Sequence, residues 1–408
     1  MKRIQITSLI MVLVLTASVL SGCSGLTDPA PSFVDVEDLN SNTQAEIPPI
    51  YFEENSDSFN SANGQSITSG SQSSDKYAEV IIHTATEYNV CTAEYAVFDP
   101  EKVKTALFGN DDITPTIRDL SEDDPSAKFP VYDWKNGDKT LCVDNNYSLI
   151  DLYGEMSVFI GSFIKSMPEL EHRNDDLDFC TREQAVKNIK DILFKMNINV
   201  SDIANVYALN QNDMQESVNE QIKEGIFYDP KTSIKDQNAQ PLTSYTVEKS
   251  QECYYIVFRE EYDSVPIYNL NFGYSSIKLT VFHPQIIAIY SSEGIVGLKV
   301  SDYRGNISKS AKVEQVISPE SASQTVAAKY VDVAGIKQVD FDKMELMYVI
   351  TPNNINGKTS LDKAKMIPAW VCTVRYTKWA IDRNTKDYGY VAFKETVLID
   401  AQTGAEII

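Results

Sequence analysis

Two periods of apolar residues organise this chain from residue 180 onward, one helical and one strand-like. Ala185, Ile189, Ile192, Leu193 and Met196 fall on one face of a helix opening at Thr181. The Thr181 hydroxyl and the Gln184 amide fit a capping box, each satisfying a free backbone N–H at the helix start. A polar stretch from Asn210 to Gln240 reads as loop. Tyr254, Ile256 and Phe258 then alternate with Tyr255, Val257 and Arg259, which predicts a strand. Ile277, Leu279 and Val281 alternate likewise, and Ile286 to Tyr290 predicts a third strand closing at Glu293-Gly294. The same order recurs downstream. Ser318 caps a helix with Pro319 at its first position, and Ala322, Val326 and Tyr330 line one face. Strands are predicted at Met344 to Ile350, Trp370 to Tyr376 and Val391 to Asp400. Ile289 and Gly294 align without a gap on Ile399 and Gly404, and Gly404 suits a turn that needs positive φ. The pattern predicts a duplicated helix-plus-antiparallel-sheet module over residues 180–308 and 309–408.

Upstream, Tyr77 to Thr84 and Ala93 to Phe98 predict strands, and Pro100 to Phe108 a short helix behind Asp99. Asp111 to Asp138 reads as loop, and Leu149 to Met167 is apolar enough for a strand or a helix. Residues 76–179 are therefore expected to form a small α+β domain, which makes the whole chain α+β. Ahead of it, residues 24–75 hold nine acidic residues and no Lys or Arg. From Glu53 to Asp75 the composition is almost wholly Ser, Asn, Gly, Gln and acid, too polar to order itself. Residues 23–75 are expected to be a disordered tether, spacing the body by ~40 Å from its attachment point. Ile47 through Phe52, an apolar patch with two prolines, is the part of it fit to dock on the body.

The chain of 408 residues is long enough for two or three domains, and 22 Tyr, 16 Phe and 3 Trp supply core material. A net charge of −22, falling to −24 if Lys2 and Arg3 are removed, repels nucleic acid and anionic headgroups. Cys91, Cys142, Cys180, Cys253 and Cys372 are widely spaced, with no Cys-x-x-Cys, and read as small buried hydrophobes and not as zinc ligands or a disulfide framework.

The N-terminus adds a location. Lys2 and Arg3 precede an uncharged, mostly apolar run from Ile4 to Leu20, followed by Ser21, Gly22 and Cys23. Leu20-Ser21-Gly22-Cys23 resembles the lipobox of bacterial lipoproteins. The resemblance implies a signal peptide over residues 1–22, a diacylglycerol on the Cys23 sulfur, and a cell-membrane, extracytoplasmic location held by lipid. At the other end, Val397-Leu398-Ile399-Asp400-Ala401-Gln402-Thr403-Gly404 resembles the closing strand and turn of PepSY-type domains. Ile367-Pro368-Ala369-Trp370 ahead of that ending resembles the extracellular YycH and YycI proteins of Firmicutes. The chain as a whole resembles uncharacterised clostridial lipoproteins. The PepSY match is carried by Asp400, Ala401, Thr403 and Gly404, and the first copy departs from it with Tyr290 at the Asp position. PepSY-like domains are associated with inhibiting peptidases or regulating cell-wall events, so the resemblance implies a binding role.

Motifs for chemistry are missing from the sequence: no Gly-x-Ser-x-Gly, no His-Glu-x-x-His and no phosphate-binding glycine loop. Glu171-His172 reads as solvated surface. Asp175, Asp176 and Asp178 offer oxygen ligands for calcium, but an acidic cap ahead of the helix at Thr181 explains them equally well. Asp382, Asn384 and Asp387 read as a hairpin turn. Trp370, Tyr376, Trp379 and Tyr254 read first as sheet core and second as an aromatic binding face, with any groove expected between the two repeats. The expectation is a non-catalytic, lipid-anchored envelope protein with no metal or cofactor, binding an envelope protein or peptide. A transporter's substrate-binding lipoprotein and an unrecognised hydrolase are the alternatives.

Overall fold

The computed structural model describes residues 32–35, 50–51, 78–83, 85, 87–121, 124–161, 176–201, 204–230, 240–268, 284–331, 333, 336, 338–355, 358–381 and 388–407. Cys23, Glu171-His172, Asp175, the 277–281 alternation and the Asp382–Asp387 turn lie outside them. In chain order the first strands are β1 (Phe33–Asp35), β2 (Ile50–Tyr51), β3 (Glu79–Ile82) and β4 (Asn89–Glu94), then helix α1 (Pro100–Phe108). Next come β5 (Thr116–Arg118), β6 (Val131–Asn136), β7 (Lys139–Asp144), β8 (Leu149–Tyr153) and α2 (Glu155–Gly161). Helix α3 (Arg182–Lys195), β9 (Ala204–Leu209), α4 (Gln211–Glu224) and β10 (Cys253–Phe258) follow. A short hairpin, β11 (Glu261–Tyr262) and β12 (Val265–Pro266), leads to β13 (Gln285–Ser291) and β14 (Gly294–Ser301). The chain ends with β15 (Asn306–Lys312), β16 (Gln315–Ile317), α5 (Pro319–Val331), β17 (Gln338–Ile355), β18 (Lys358–Ile381) and β19 (Tyr388–Asp400).

These elements make a mixed α+β fold around two large sheets. The first has eight strands in the order β5-β6-β7-β8-β14-β13-β10-β9; the second is built on β15-β4-β18-β17-β2, with β19 on β18 and β3 on β17. Strand pairing therefore crosses the boundaries expected from sequence. Residues 76–179 contribute β3 and β4 to the second sheet and β5 to β8 to the first, joined there through the β8–β14 pair. Within residues 23–75, β1 pairs with β16 and β2 with β17, so two short pieces of the expected tether lie on the body.

Helix α1 forms as expected, with the Asp99 carboxylate accepting the N–H groups of Glu101 and Lys102. At α3 only half of the capping box is made: Thr181 Oγ1 accepts the Gln184 N–H at 3.2 Å, while the Gln184 amide turns to Asn188. Ala185, Ile189 and Leu193 bury against one face of the first sheet, over Tyr254, Ile256 and Ala288. Helix α4 corrects the loop reading of Asn210 to Gln240. Asn210 caps its start, Gly225 closes it in the left-handed region, and Met214 and Val218 bury against the other face, with Phe159 and Ile160 of α2. Likewise β5 and β6 occupy part of the expected loop at 111–138.

In the second sheet α5 covers one face, where Ala322, Val326 and Tyr330 meet Trp370, Cys372, Val397 and Ile399. Its other face carries a smaller cluster of Tyr268, Met347, Val349, Ala369, Val371 and Leu398. The gap-free alignment of the two halves fails on this point. Ile399 faces α5, whereas Ile289 packs on the α2/α4 side, away from α3; Ala288 and Tyr290 face α3 instead. Because strand side chains alternate, an offset of one residue exchanges the two faces. Gly294 and Gly404 both have positive φ, +89° and +74°, but one opens a hairpin strand and the other follows a turn closed by its N–H on Asp400 O.

Candidate functional site

The two sheets meet along a seam crossed by the chain after β4, after β10 and after β14. Packing there is tight: a Cβ on Gly305 would lie 2.9 Å from the Tyr303 ring and 3.1 Å from Ala96 Cβ. Strand β10 carries its last residues into the seam, and two neighbours, Arg259 and Glu260, anchor it in different directions. Arg259 reaches Glu345 of β17 at 3.1 Å. His83, just past β3, holds the same oxygen at 2.8 Å, and Lys343 takes the other at 2.8 Å. Glu345 is buried, which opposes its charge, but the His83 hydrogen bond, Arg259 and Lys343 outweigh that and bring its carboxyl down to about 2. Glu260 accepts the backbone N–H of Arg304 on both oxygens at 3.2 Å. The Arg304 guanidinium is itself buried, 3.7 Å from the centre of the Tyr95 ring. Burial pushes Glu260 up to about 8, against the pull of the Arg304 N–H and charge.

That elevated value gives a stability window. Glu260 favours the folded state fully below its ordinary value of 4.5, and this contribution is lost as pH rises toward 8. Glu260→Gln keeps an acceptor for Arg304 and cannot ionise. Between pH 5 and 8 the parent protein should lose about 2–4 kcal/mol more unfolding free energy than this variant. Urea titrations at the two pH values measure the difference, and parallel pH profiles would contradict the assignment.

Beyond these anchors the chain turns sharply at Asp263 and Ser264, whose φ angles of +52° and +64° make the tight β11–β12 turn. The hairpin is fixed to the second sheet: Ile267 pairs with Tyr348, the Tyr268 N–H donates to Tyr348 O at 2.7 Å, and the Tyr262 ring lies edge-on to that of Tyr348. Facing it is the C-terminal end of α3, continued by Ile198 and Val200. Between them lies a shallow cavity of about 570 Å³. Phe194 stands on one wall, 74% exposed, with Lys190 and Asp191; Glu261, Tyr262 and Asp263 form the other. The groove therefore combines an unburied aromatic ring with an excess of acidic groups. It holds no thiol, imidazole or hydroxyl-base pair among its lining residues.

No protein family matches this sequence, and no curated protein matches it. A solved structure of an uncharacterized protein from Eubacterium rectale ATCC 33656 is similar, with a TM-score of 0.53 over 81% of this chain and 89% of that one. Identity is 15%, so the likeness shows the fold alone.

The other residues marked by the sequence are dispersed. Trp370 is fully buried, its Nε1–H donating to Ile317 O at 3.0 Å, and Tyr254 is buried in the first sheet with its hydroxyl on Cys180 O. Tyr376 stacks on Phe393, and Trp379 is exposed on β18. Asp176 Oδ1 accepts the Arg182 N–H at 2.8 Å, as an acidic residue at a helix start does, whereas Asp178 pairs with Lys249 at 2.9 Å, away from that helix. Among the described residues no three His, Cys, Asp or Glu side chains are placed to hold a metal ion, and no helix is long and apolar enough to cross a membrane. The five described cysteines are free thiols; burial raises them all, Cys142 to about 12, which removes thiolate character. Phe194 was not singled out by the sequence, although a large apolar residue off the buried face of α3 marks it.

Proposed function

We propose that this protein is an extracytoplasmic lipoprotein, acylated on Cys23, whose body binds a protein or peptide partner of the cell envelope without catalysing a reaction. The observation carrying the binding role is the seam groove, where Phe194 is 74% exposed on a wall of an otherwise packed junction. Its acidic rim, with Asp191, Glu261 and Asp263 against Lys190, favours a partner segment presenting apolar and cationic side chains. The lipobox supports the location. A helix packed on antiparallel strands in each half, α3 on β9-β10-β13 and α5 on β17-β18-β19, supports a duplicated PepSY-like unit whose first copy carries an inserted α4 and an added strand β14 and is offset by one residue at its closing strand.

Cys23→Ala should release the protein from the membrane fraction or leave it with an uncut signal, because the lipid is the anchor in this reading. Processed Cys23→Ala protein that still sediments quantitatively with membranes under high salt would contradict acylation. For the groove, Phe194→Asp should abolish co-purification of a stoichiometric partner from solubilised membranes while leaving thermal unfolding within about 0.5 kcal/mol of the parent. Unchanged recovery of that partner would exclude the groove.

A further inference from the structure

Strands β18 and β19 run on past the second sheet. Pairing of β17 with β18 stops at Val339 opposite Tyr376, while β18 and β19 remain paired to Ile381 opposite Tyr388. From Thr377 the chain is thus a two-stranded ribbon without a covering layer among the described residues. Trp379 and Tyr390 sit directly opposite one another there, 53% and 50% exposed, with ring centres 5.2 Å apart. Two steps back on the same face, beyond Thr377 and Ala392, come Arg375 and Lys394, both about half exposed, gathered around Asp342. On the opposite face Phe393, 37% exposed, stacks on Tyr376, and Lys378 follows. Exposed rings thus lie on one face of the ribbon and, at its base, on the other, with cations behind them. A membrane interface can contact a projecting ribbon on both sides and accepts Trp and Tyr at headgroup depth.

The N-terminal segment makes such a contact reachable. The Ser32 N–H donates to Ser321 Oγ at 2.8 Å, its hydroxyl touches those of Ser318 and Ser321, and Phe33 pairs with Ile317, the residue that accepts the Trp370 indole. Ser32 lies nine positions beyond Cys23, at most ~30 Å of chain. Trp379 likewise lies nine positions beyond Trp370 along β18, again ~30 Å. An acyl group on Cys23 and the ribbon end can meet one bilayer plane.

We infer that the β18–β19 ribbon is a second, reversible membrane contact, seating Trp379, Tyr390 and Phe393 in the interface with Arg375, Lys378 and Lys394 against anionic phospholipid headgroups. Its reach depends on the acylation of Cys23 proposed above, but its chemistry does not. This runs counter to the expectation that the acidic chain avoids such headgroups. With a Debye length of about 8 Å at physiological salt, a cationic projection is screened from charges on the distant body.

The test uses the full mature chain from residue 23, non-acylated as Cys23→Ser, so that it is independent of the lipid. Trp134 and Trp370 are buried, leaving Trp379 as the exposed one of the three tryptophans and the reporter for its own environment. Vesicles containing phosphatidylglycerol should shift tryptophan emission to the blue and bind the protein on co-sedimentation. Phosphatidylcholine vesicles should do so several-fold less well. Trp379→Ser with Tyr390→Ser should weaken binding about tenfold or more, and Lys378→Glu about fivefold or more. Both variants should keep the far-UV circular dichroism of the parent. Emission unmoved by anionic vesicles, equal binding to neutral ones, or full binding by the aromatic double variant would each overturn the inference.

Discussion

Glu345→Ala should destabilise the fold by about 2–4 kcal/mol, the cost of removing the buried carboxylate shared by the half-buried Arg259 and Lys343. One carboxylate here serves His83, Arg259 and Lys343, which come from the end of β3, the end of β10 and β17. Removing it takes away one tie between the first and second sheets and one side-chain tie between the end of β3 and β17. The carboxyl's depressed value also fixes a pH window. Its contribution is present above the ordinary 4.5 and lost as pH falls toward 2. Urea unfolding at pH 7 and pH 3 should therefore show a larger gap between parent and Glu345→Gln at the higher pH. A Glu345→Ala protein within 1 kcal/mol of the parent at pH 7 would mean that the seam is held by something else.

Trp370→Ala should cost about 3–5 kcal/mol through the cavity it leaves. Trp370 is wholly buried at the centre of the second core, between β18 and α5, and its indole N–H satisfies the carbonyl of Ile317. Trp370→Phe separates the two contributions. It retains most of the apolar volume and gives up the hydrogen bond, so a loss of about 1–2 kcal/mol is expected. Thermal melts of the two variants give the comparison, and equal losses would show that packing around the ring matters less than the Ile317 contact. Since Ile317 also pairs with Phe33, Trp370→Ala should additionally loosen β1.

The elements legible in the sequence were those with a local signal. Helix α1 has an Asp cap and Pro100 at its first turn, α3 has a continuous apolar face, and the core of β17 to β19 has period-two alternation. Helix α4 is hidden in the sequence because its buried stripe is thin. Met214, Val218 and the partly buried Ile222 are isolated among polar residues, although Asn210 and Gly225 mark its ends. The sharing of sheets was not legible at all. The β8–β14 and β4–β18 pairs join residues far apart in sequence, and no local pattern distinguishes their pairing from that of nearer strands. Ile289 shows a subtler failure. Its strand is legible, but Ala288 and Tyr290 take the α3 face, so the gap-free alignment on Ile399 is one residue out of phase, which no local signal reveals.

The seam site was illegible for a related reason. Arg259 read as the outward member of a strand alternation, and its partner Glu345 lies 86 residues on. Glu260 and Arg304 are ordinary charged residues until the fold buries both. The groove they support depends on where α3 ends relative to the β11–β12 hairpin, which only the tertiary structure fixes.

Cross-linking at the groove tests the central claim most directly. A photoactivatable phenylalanine analogue at position 194, in the acylated protein and in its native membranes, should give one discrete adduct on illumination. That adduct should disappear when Tyr262→Arg is added on the facing wall, and it should persist when the analogue stays in place and the ribbon carries Trp379→Ser. A smear insensitive to Tyr262→Arg, or no adduct beyond lipid, would contradict a partner-binding groove.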